Sequence, residues 1–364
     1  MIKGINSNYR LHFLLFTGLF LLFNQALSQV IAPMSVRYQT NAKGSITVIS
    51  NVSISCNSGN NCNTARAEIP PAGTWGNHSL TMAYVDSDAD PTTYMSSSDS
   101  LILPNCSEVL WAGLYWGARI AANTTNYNNR TSVKLKLNSG AYQVMNADQT
   151  LDVPTINGQS WTQPSYYCFK NITPLVVSSG LNARFTVADL VTRTGTSNMW
   201  GGWSIVVVYK NVLQTMRNLT VFDGFANVNS GNSLDIPISG FTTPLSGPVN
   251  FELGVIALDG DRDSQGDQLQ FNGAGTFVNV SDALHQTNNF FNSTVSNNAV
   301  LTPFRLPNYS NTLGYDAGIF YPNNASLNYI GNNANAAVIR VITSSENILA
   351  RAFTSAIDIF EPDL

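Results

Sequence analysis

The sequence predicts an all-β protein of the sandwich or jelly-roll class. Its apolar segments are short and rich in Val, Ile, Tyr, Phe and Thr, and clusters of Asn, Ser, Gly and Pro separate them. The segment SVKLKLN alternates as a half-buried strand does, whereas SIVVVY is continuous, as in a strand covered on both faces. No long apolar pattern with a helical period occurs.

The first 28 residues have the pattern of a secretory signal peptide. Lys3 and Arg10 precede the apolar run LHFLLFTGLFLLF, and the small-residue sequence ALS stands before Gln29. That run is too short for a comfortable membrane span, and no later stretch approaches about 18 consecutive apolar residues. We therefore expect residues 1–28 to be a removed signal, with no transmembrane segment in an exported mature chain.

The charge balance argues against nucleic acid as a partner. The chain has 18 basic and 22 acidic residues, and removal of Lys3 and Arg10 leaves 16 basic against 22 acidic, a net charge of −6. A nucleic-acid-binding face needs clustered basic residues, which this balance does not favour.

Four cysteines suggest two disulfides in an oxidising compartment, with three possible pairings. We favour Cys56 with Cys62, which closes the short loop CNSGNNC, and Cys106 with Cys168 across a longer span. Zinc is the competing interpretation. It is disfavoured because the chain lacks a CxxC spacing and its mature part has only two histidines.

A faint internal repeat is present. Residues 112–140 and 253–273 share the same order of parts: an apolar strand, a polar loop, and an alternating strand that ends in Asn and Gly. Two further pairs of similar segments keep this order, and they begin at Ser178 and Ile330 and at Trp203 and Thr354. The repeat indicates that one structural unit occurs twice.

We therefore predict two tandem β-sandwich, jelly-roll-like units, either separate or fused into one domain. The polar stretch SGFTTPLSGP, residues 239–248, contains Pro and Gly and is the predicted boundary. The first unit is then residues 29–245 and the second is residues 246–364.

An acidic loop stands out in a chain with few charges. The stretch LDGDRDSQGDQLQFNG, residues 258–273, contains Asp259, Asp261, Asp263 and Asp267. Calcium takes six to eight oxygen ligands, and alternate residues of an irregular loop can direct carboxylates to one point. The match to an EF-hand is incomplete, because Ser264 occupies the sixth position and Gln270 the twelfth. The alternative is a solvated hairpin loop in which Arg262 pairs with one acid and Asp267 caps a turn.

A second acidic cluster, in VDSDADPTTYMSSSDS, has the same alternate spacing at Asp86, Asp88 and Asp90. These residues are also candidates for calcium, the one cofactor that the sequence suggests. Asx turns leading into Pro91 are the alternative, and this interpretation is favoured here.

Five aromatic residues occur in VLWAGLYWGA and MWGGWS, and they are Trp111, Tyr115, Trp116, Trp200 and Trp203. Aromatic faces can form a platform on which sugars stack. Such residues also fill sandwich cores. Their position within apolar strands favours the core.

Enzyme signatures are mostly absent. The chain has no G-x-S-x-G elbow, no HExxH and no P-loop, and its mature part contains only His78 and His285 as histidines. Glycoside hydrolysis needs only two carboxylates, and Glu252 with Asp259 is the least implausible pair. No catalytic residue is predicted.

Several phrases in a fixed order carry a family resemblance. They are DADPTTYMSSSDSLILP, AGLYWGA, GGWSIVVVYKN, RNLTVFDGF, ISGFTTP, GDRDSQGDQLQFNG, NFFNSTVS, NTLGYDAGIF and AIDIFEPDL. From about Asp86 to Leu364 the chain resembles an N-terminal domain of very long secreted surface proteins, similar to gliding-motility and adhesion proteins of Bacteroidota. The resemblance implies type IX secretion, a place on the outer cell surface and repeat domains that follow, and it offers no catalytic residue.

Within the acidic loop the resemblance separates two kinds of position. The family pattern is matched at Gly260, Asp261, Gly266 and Asp267, whereas Asp259 and Asp263 depart from it. The resemblance therefore implies that Asp261 and Asp267 shape the loop, with or without a metal.

Together these observations predict a non-catalytic N-terminal module of a cell-surface adhesin. It would attach to a surface or glycan, or act as a terminal structural cap. The expected partners are a surface glycan or another cell-surface ligand, and downstream repeat domains of the same chain. The alternative is a secreted carbohydrate-binding module or a glycan-active enzyme.

Overall fold

A computed structural model describes residues 30–57, 59–88, 90–153 and 164–361. The regular structure in these ranges is almost entirely β-strand, which confirms the predicted fold class. The predicted signal, residues 1–28, lies outside the described residues. Within them, no helix has both the length and the apolar character needed to cross a membrane.

In the first part of the described chain the strands are β1 Val30–Val52, β2 Ile54–Cys56, β3 Met82–Tyr84, β4 Ser96–Ile102, β5 Ser107–Arg119, β6 Ser132–Leu137, β7 Gln143–Asn146, β8 Gln149–Val153, β9 Ser165–Asn171, β10 Asn182–Ala188 and β11 Gly201–Asn211. In the second part they are β12 Met216–Val228, β13 Ser233–Ser239, β14 Phe251–Leu258, β15 Asp267–Asn272, β16 Val278–Asn279, β17 Val295–Asn297, β18 Val300–Leu301, β19 Tyr315–Phe320, β20 Ala336–Thr343 and β21 Ile348–Asp358. The helices are short and comprise α1 Asn60–Ala67, α2 Thr173–Ser179 and the 3-10 turns Asn77–Ser79 and Tyr127–Asn129.

The strands form one long sheet and three smaller ones. The long sheet has the order β18-β17-β19-β14-β21-β12-β1-β11-β5-β9-β8. Two four-stranded sheets have the orders β4-β10-β6-β7 and β13-β20-β15-β16, and β2 pairs with β3. Strand β1 connects the two halves of the long sheet, because its first part pairs with β12 and its last part pairs with β11.

The long sheet folds so that its two halves pack face to face. The rings of Tyr167 on β9 and Phe225 on β12 are 4.1 Å apart, although three strands separate β9 from β12 in the sheet. In a flat sheet these strands would be about 19 Å apart, at roughly 4.8 Å per strand. The Ser204 and Tyr315 hydroxyls, on β11 and β19, are also within hydrogen-bonding distance at 2.9 Å. Register shifts in the first part of β1 mark bulges, which bend a strand.

This packing explains the continuous apolar segment on β11. The run from Ile205 to Val208 is fully buried. Trp203 on the same strand donates its indole N–H to Ser97 Oγ of the small sheet at 2.9 Å, while Ser204 faces the other half of the long sheet. The prediction that SIVVVY is covered on both faces is confirmed.

The internal repeat corresponds to a repeat of topology. Strands β5 and β11 pair in the long sheet, and β6 and β10 pair in a small sheet. In the same way β14 pairs with β21 in the long sheet, and β15 pairs with β20 in the other small sheet. Strands β1, β4 and β9 correspond likewise to β12, β13 and β19. We call the set β1, β4, β5, β6, β9, β10 and β11 the first copy, and the set β12, β13, β14, β15, β19, β20 and β21 the second copy.

The change from first to second copy falls between Asn211 and Met216, which is earlier than the predicted boundary at residues 239–248. Strands β12 and β13 precede that boundary, yet they pair with β21 and β20, which follow it. The sequence matches did not include β12 and β13, because these strands correspond to β1 and β4 in position rather than in sequence. As a domain limit, the division into 29–245 and 246–364 stays a prediction.

The five aromatic residues singled out in the sequence belong to the core. Exposure is at most 6% for Trp111, Tyr115, Trp116, Trp200 and Trp203. Burial of such large apolar faces is a major source of fold stability. The core interpretation is confirmed, and the alternative of a sugar-stacking platform is wrong.

One predicted disulfide is present and the other is not. Cys56 and Cys62 are bonded, and they join β2 to α1. Cys106 and Cys168 are free thiols. Cys168 lies opposite Trp116 of β5, and Cys106 immediately precedes β5, ten residues before Trp116. At about 3.3 Å per residue this separation is roughly 30 Å, whereas a disulfide needs Cα atoms within about 7 Å. The predicted second bridge is therefore wrong.

Candidate functional site

The four aspartates of the acidic loop lie between the end of β14 and the first residue of β15, within residues 259–267 of the second copy. They do not converge on one point. Asp259 is in the left-handed backbone region with φ 68°, and its Oδ1 lies 3.5 Å from the Asn77 amide nitrogen. Burial, with a further contribution from Asp261, raises the pKa of Asp259 to about 7. Asp259 is half-buried beside Asn77.

Asp261 and Asp263 lie on either side of His78. The Asp261 and Asp263 Oδ2 atoms are 3.6 and 3.5 Å from the two imidazole nitrogens, and Asp261 Oδ1 accepts the Asn77 N–H at 3.1 Å. One ligand atom from each of His78, Asp261 and Asp263 can be chosen within 4.8 Å of one another. The hydrogen bond to Asp261 and the charge of Asp263 raise the pKa of His78. A protonated imidazole pairs with carboxylates but cannot bind a metal.

Asp267 points away from this group and into the second copy. It is fully buried, and its Oδ1 accepts the Phe291 N–H at 2.7 Å. Its carboxyl group also lies within hydrogen-bonding reach of Glu346, in the loop between β20 and β21. Glu346 in turn accepts the Asp261 N–H at 3.1 Å. Burial raises the pKa of both acids.

The alternative in which Arg262 pairs with one of these acids is wrong. Arg262 is 2% exposed and donates to backbone carbonyls instead. Its acceptors are the carbonyl oxygens of Glu68, Asn292, Ser293 and Ser310 and the hydroxyl of Thr294. The guanidinium therefore holds three chain segments around the acidic loop without neutralising a carboxylate by direct contact.

In the second acidic cluster each carboxylate has its own protein partner. Asp86 accepts from the Ser96 hydroxyl, and Asp90 accepts the Thr92 N–H and hydroxyl. Asp88 accepts from Lys136 and Tyr142. Burial would raise the pKa of Asp88, but these hydrogen bonds outweigh it and lower the pKa to about 2. The Asp90 contacts are an Asx turn around Pro91, so the arrangement favours the turn interpretation over a shared calcium.

The carboxylate pair considered for glycoside hydrolysis is not brought together. Glu252 is near the start of β14 and Asp259 follows its end. Seven residues at about 3.3 Å each place them roughly 20 Å apart, whereas glycosidase carboxylates lie about 5 to 9.5 Å apart. Glu252 is instead paired with Arg217 at 2.5 Å.

A polar cavity of about 420 Å³ opens at the corresponding loops of the first copy, and we call it the tyrosine pocket. Its walls are Tyr84, Tyr94, residues 123–126 between β5 and β6, and residues 192–194 between β10 and β11. The two tyrosine rings are 5.1 Å apart. The Tyr84 hydroxyl donates to the Thr192 carbonyl at 2.7 Å, so this ring is fixed to the wall.

The tyrosine pocket and the acidic loop occupy equivalent positions in the two copies. The pocket uses the β5–β6 and β10–β11 loops, and the acidic loop and Glu346 are in the β14–β15 and β20–β21 loops. The chain between β2 and β4 contacts both, through Asn77 at the acidic loop and Tyr84 at the pocket. Arg119 lies close to both sites. Its carbonyl oxygen accepts the Arg193 N–H at 3.1 Å, and burial lowers the pKa of its guanidinium while the charge of Asp259 opposes that shift.

Sequence reasoning found the acidic loop but missed its partners. Asn77, His78 and Glu346 come from segments far from the loop in the sequence, and none has a motif that would assign it there. The tyrosine pocket was also missed, because isolated Tyr, Asn, Thr and Arg residues form no recognisable spacing. The internal repeat is the signal that could have paired the β5–β6 loop with the acidic loop.

No protein-family profile matches the chain, and no curated protein matches it. Six chains of solved structures match. One is the crystal structure of a peptide-N(4)-(N-acetyl-β-D-glucosaminyl) asparagine amidase, which is 8% identical, with coverage of 87% of this chain and 98% of that chain and a TM-score of 0.22. A TM-score this low supports no argument about fold or function.

Proposed function

We propose that this chain is a non-catalytic recognition module of a cell-surface adhesin and that it binds a glycan in the tyrosine pocket. The observation that carries the proposal is the chemistry of the pocket wall. It combines two tyrosine rings with amide, hydroxyl and guanidinium groups, and no carboxylate, imidazole or thiol is among its described lining residues. Such a wall can bind a polar ligand, and its described residues include no carboxylate pair of the kind that glycosidases use.

The chemical groups of the pocket wall suit a sugar. Aromatic rings pack against the apolar face of a pyranose, and amide and hydroxyl groups hydrogen bond to its hydroxyls. The Tyr94 hydroxyl donates to the Asp189 carbonyl at 2.8 Å, so both tyrosines are held by backbone acceptors before a ligand arrives. A wall fixed in advance loses little conformational freedom on binding.

Arg193 supplies a charge that the protein does not neutralise. Its side chain is exposed at the pocket and forms none of the ion pairs of the described chain. A guanidinium makes charge-assisted hydrogen bonds with carboxylates or sulfates. Acidic saccharides are therefore the expected subclass of ligand.

The place of the module in a larger protein rests on the sequence. The ordered family phrases support export by type IX secretion, a position on the outer cell surface and repeat domains downstream. The Cys56–Cys62 disulfide agrees with an oxidising compartment. A secreted glycan-active enzyme is the competing class, and the pocket wall and the separation of Glu252 from Asp259 argue against it.

A glycan array combined with a hydrolysis screen on the same saccharides tests the proposal. We expect retention of acidic saccharides without release of products. Arg193→Ala should lose retention, whereas Lys210→Ala, which removes an exposed cation from β11 outside the pocket, should keep it. Turnover of any arrayed glycan would replace the proposal with the enzymatic alternative, and absence of retention on every glycan and surface would leave only the structural cap.

A further inference from the structure

The pairing of Asp267 with Glu346 leaves buried oxygens without donors. Asp267 Oδ2 and Glu346 Oε1 are both inaccessible to solvent and accept no hydrogen bond. The other oxygens of the two groups are used, since Asp267 accepts the Phe291 N–H and Glu346 accepts the Asp261 N–H. Two ionised carboxylates in contact in a buried site repel each other, so a proton or a cation must lie between them.

A proton or a metal ion could provide that charge. The acidic loop and Glu346 together contain five carboxylates. Two of these, Asp261 and Asp263, pair with His78. Arg262, the basic residue within the loop, directs its hydrogen bonds to neutral acceptors. One proton would remove one negative charge from this interior, whereas a divalent cation balances both Asp267 and Glu346. The charge count therefore favours a divalent ion.

The available atoms indicate which ion fits. The unpartnered atoms that could bind a metal are the carboxylate oxygens Asp267 Oδ2 and Glu346 Oε1. Asn289, which forms a β-bridge with Asp267, also has a buried amide oxygen without a hydrogen-bond partner. Calcium prefers oxygen ligands of this kind and completes its shell with water. Glu346 as a whole is half-buried, although its Oε1 is inaccessible to solvent.

We propose that Asp267 and Glu346 bind a calcium ion that ties the acidic loop to the β20–β21 loop. This ligand set differs from a set of alternate aspartates along the loop. Asp261 contributes its backbone N–H to Glu346, Asp263 pairs with His78, and Asp259 faces Asn77. The ion would be structural, because the two unpartnered oxygens are buried and both residues lie outside the tyrosine pocket.

Calorimetric titration of the full chain with CaCl₂ at pH 7.5, after treatment with EGTA, tests this site. Melting temperatures in calcium and in EGTA give a second measurement. We expect one calcium per chain and a higher melting temperature in calcium, because the ion binds only the folded site. Glu346→Gln should abolish both effects yet melt in EGTA at or above the wild-type temperature, because its amide can donate to Asp267. Asp267→Asn should also lose binding, and Asp235→Asn, an exposed acid paired with Arg340, should bind as the wild type.

Three outcomes would overturn the proposal. One is the absence of heat and of a melting shift in the wild type up to about 10 mM calcium, ten times the weak end of extracellular calcium sites. Another is binding by Glu346→Gln equal to that of the wild type. The third is a wild-type melting temperature that is insensitive to calcium but falls as pH rises, with no such fall in Glu346→Gln, which would show that a shared proton holds the pair.

Discussion

Tyr167 and Phe225 stack with their ring centroids 4.1 Å apart, although they belong to strands from opposite halves of one sheet. Tyr167 also packs on Trp200, so the contact is part of a larger aromatic cluster. This contact packs a strand of the first copy against a strand of the second copy. The core between the halves should therefore contribute to the stability of both.

Phe225→Ala tests that interdependence. Phe225 is 1% exposed, and removal of a buried Phe ring typically costs about 3–5 kcal/mol. We expect a single cooperative unfolding transition in the wild type, and a loss of about that size in the variant. Chemical denaturation followed by fluorescence gives both quantities. Two separate transitions in the wild type would show that the copies unfold independently.

Arg262→Met should destabilise the acidic loop region strongly. The variant leaves carbonyls of three segments, at Glu68, Asn292–Ser293 and Ser310, without this donor, and breaking a buried charged network typically costs about 3–5 kcal/mol. Arg340→Met is the matched control. Its guanidinium pairs with Asp235 on an exposed surface, and such pairs contribute about 0–1 kcal/mol. Equal losses in the two variants, measured by urea unfolding, would contradict the role assigned to Arg262.

The Cys56–Cys62 bridge should stabilise the protein modestly. A short loop closed by a disulfide gains about 2 kcal/mol from the restricted unfolded chain. We expect Cys56→Ser to lower the melting temperature and to remove its sensitivity to reductant. Cys106→Ser should leave both unchanged, because Cys106 is an exposed free thiol. A fall in melting temperature for Cys106→Ser under oxidising conditions only would show that a second bridge forms.

Asp99 should make stability depend on pH. It is 1% exposed, and burial raises its pKa to about 6 in spite of two backbone N–H donors, from Ser50 and Ser100. The folded protein therefore holds this proton more tightly than the unfolded chain, whose Asp pKa is about 4. The stabilisation is present below pH 4 and is lost as pH rises to about 6, with a total of about 2–3 kcal/mol.

Comparison of the wild type with Asp99→Asn isolates this effect from other titrating groups. The difference in unfolding free energy between them should change between pH 4 and 6 and stay constant above pH 7. The amide side chain of the variant has one acceptor oxygen and so keeps only one of the two backbone hydrogen bonds. This loss adds a difference in unfolding free energy that does not depend on pH. A difference that is constant from pH 4 to 8 would show that Asp99 titrates normally.

Local patterns in the sequence were sufficient for the fold class and for the order of the repeat. The alternation in SVKLKLN and the continuous run in SIVVVY report how many faces of a strand are covered, and the structure agrees in both cases. Strand β1 was not predictable in the same way. Its pairing with β11 along one part and β12 along another depends on bulges, which hydrophobic periodicity does not reveal.

The candidate sites were predictable only in part, for a related reason. The sequence locates the acidic loop, but the residues that determine the direction of its side chains are His78 and Glu346, which tertiary packing brings together. The same limit explains the wrong pairing of Cys106 with Cys168. An even number of cysteines suggests bridges, but only the register of β5 against β9 shows that these two lie far apart.

Equilibrium titration of the full chain with the acidic saccharide best retained on the array is the most direct test of the proposed function. We expect saturable binding to the wild type and to Lys210→Ala, and a loss of at least about tenfold in Arg193→Ala, since a charged hydrogen bond contributes about 1.5–3 kcal/mol. Asn123→Ala, at another residue that lines the pocket, should weaken binding as well. Unchanged affinity in both Arg193→Ala and Asn123→Ala would contradict the account, because the glycan would then bind outside the tyrosine pocket.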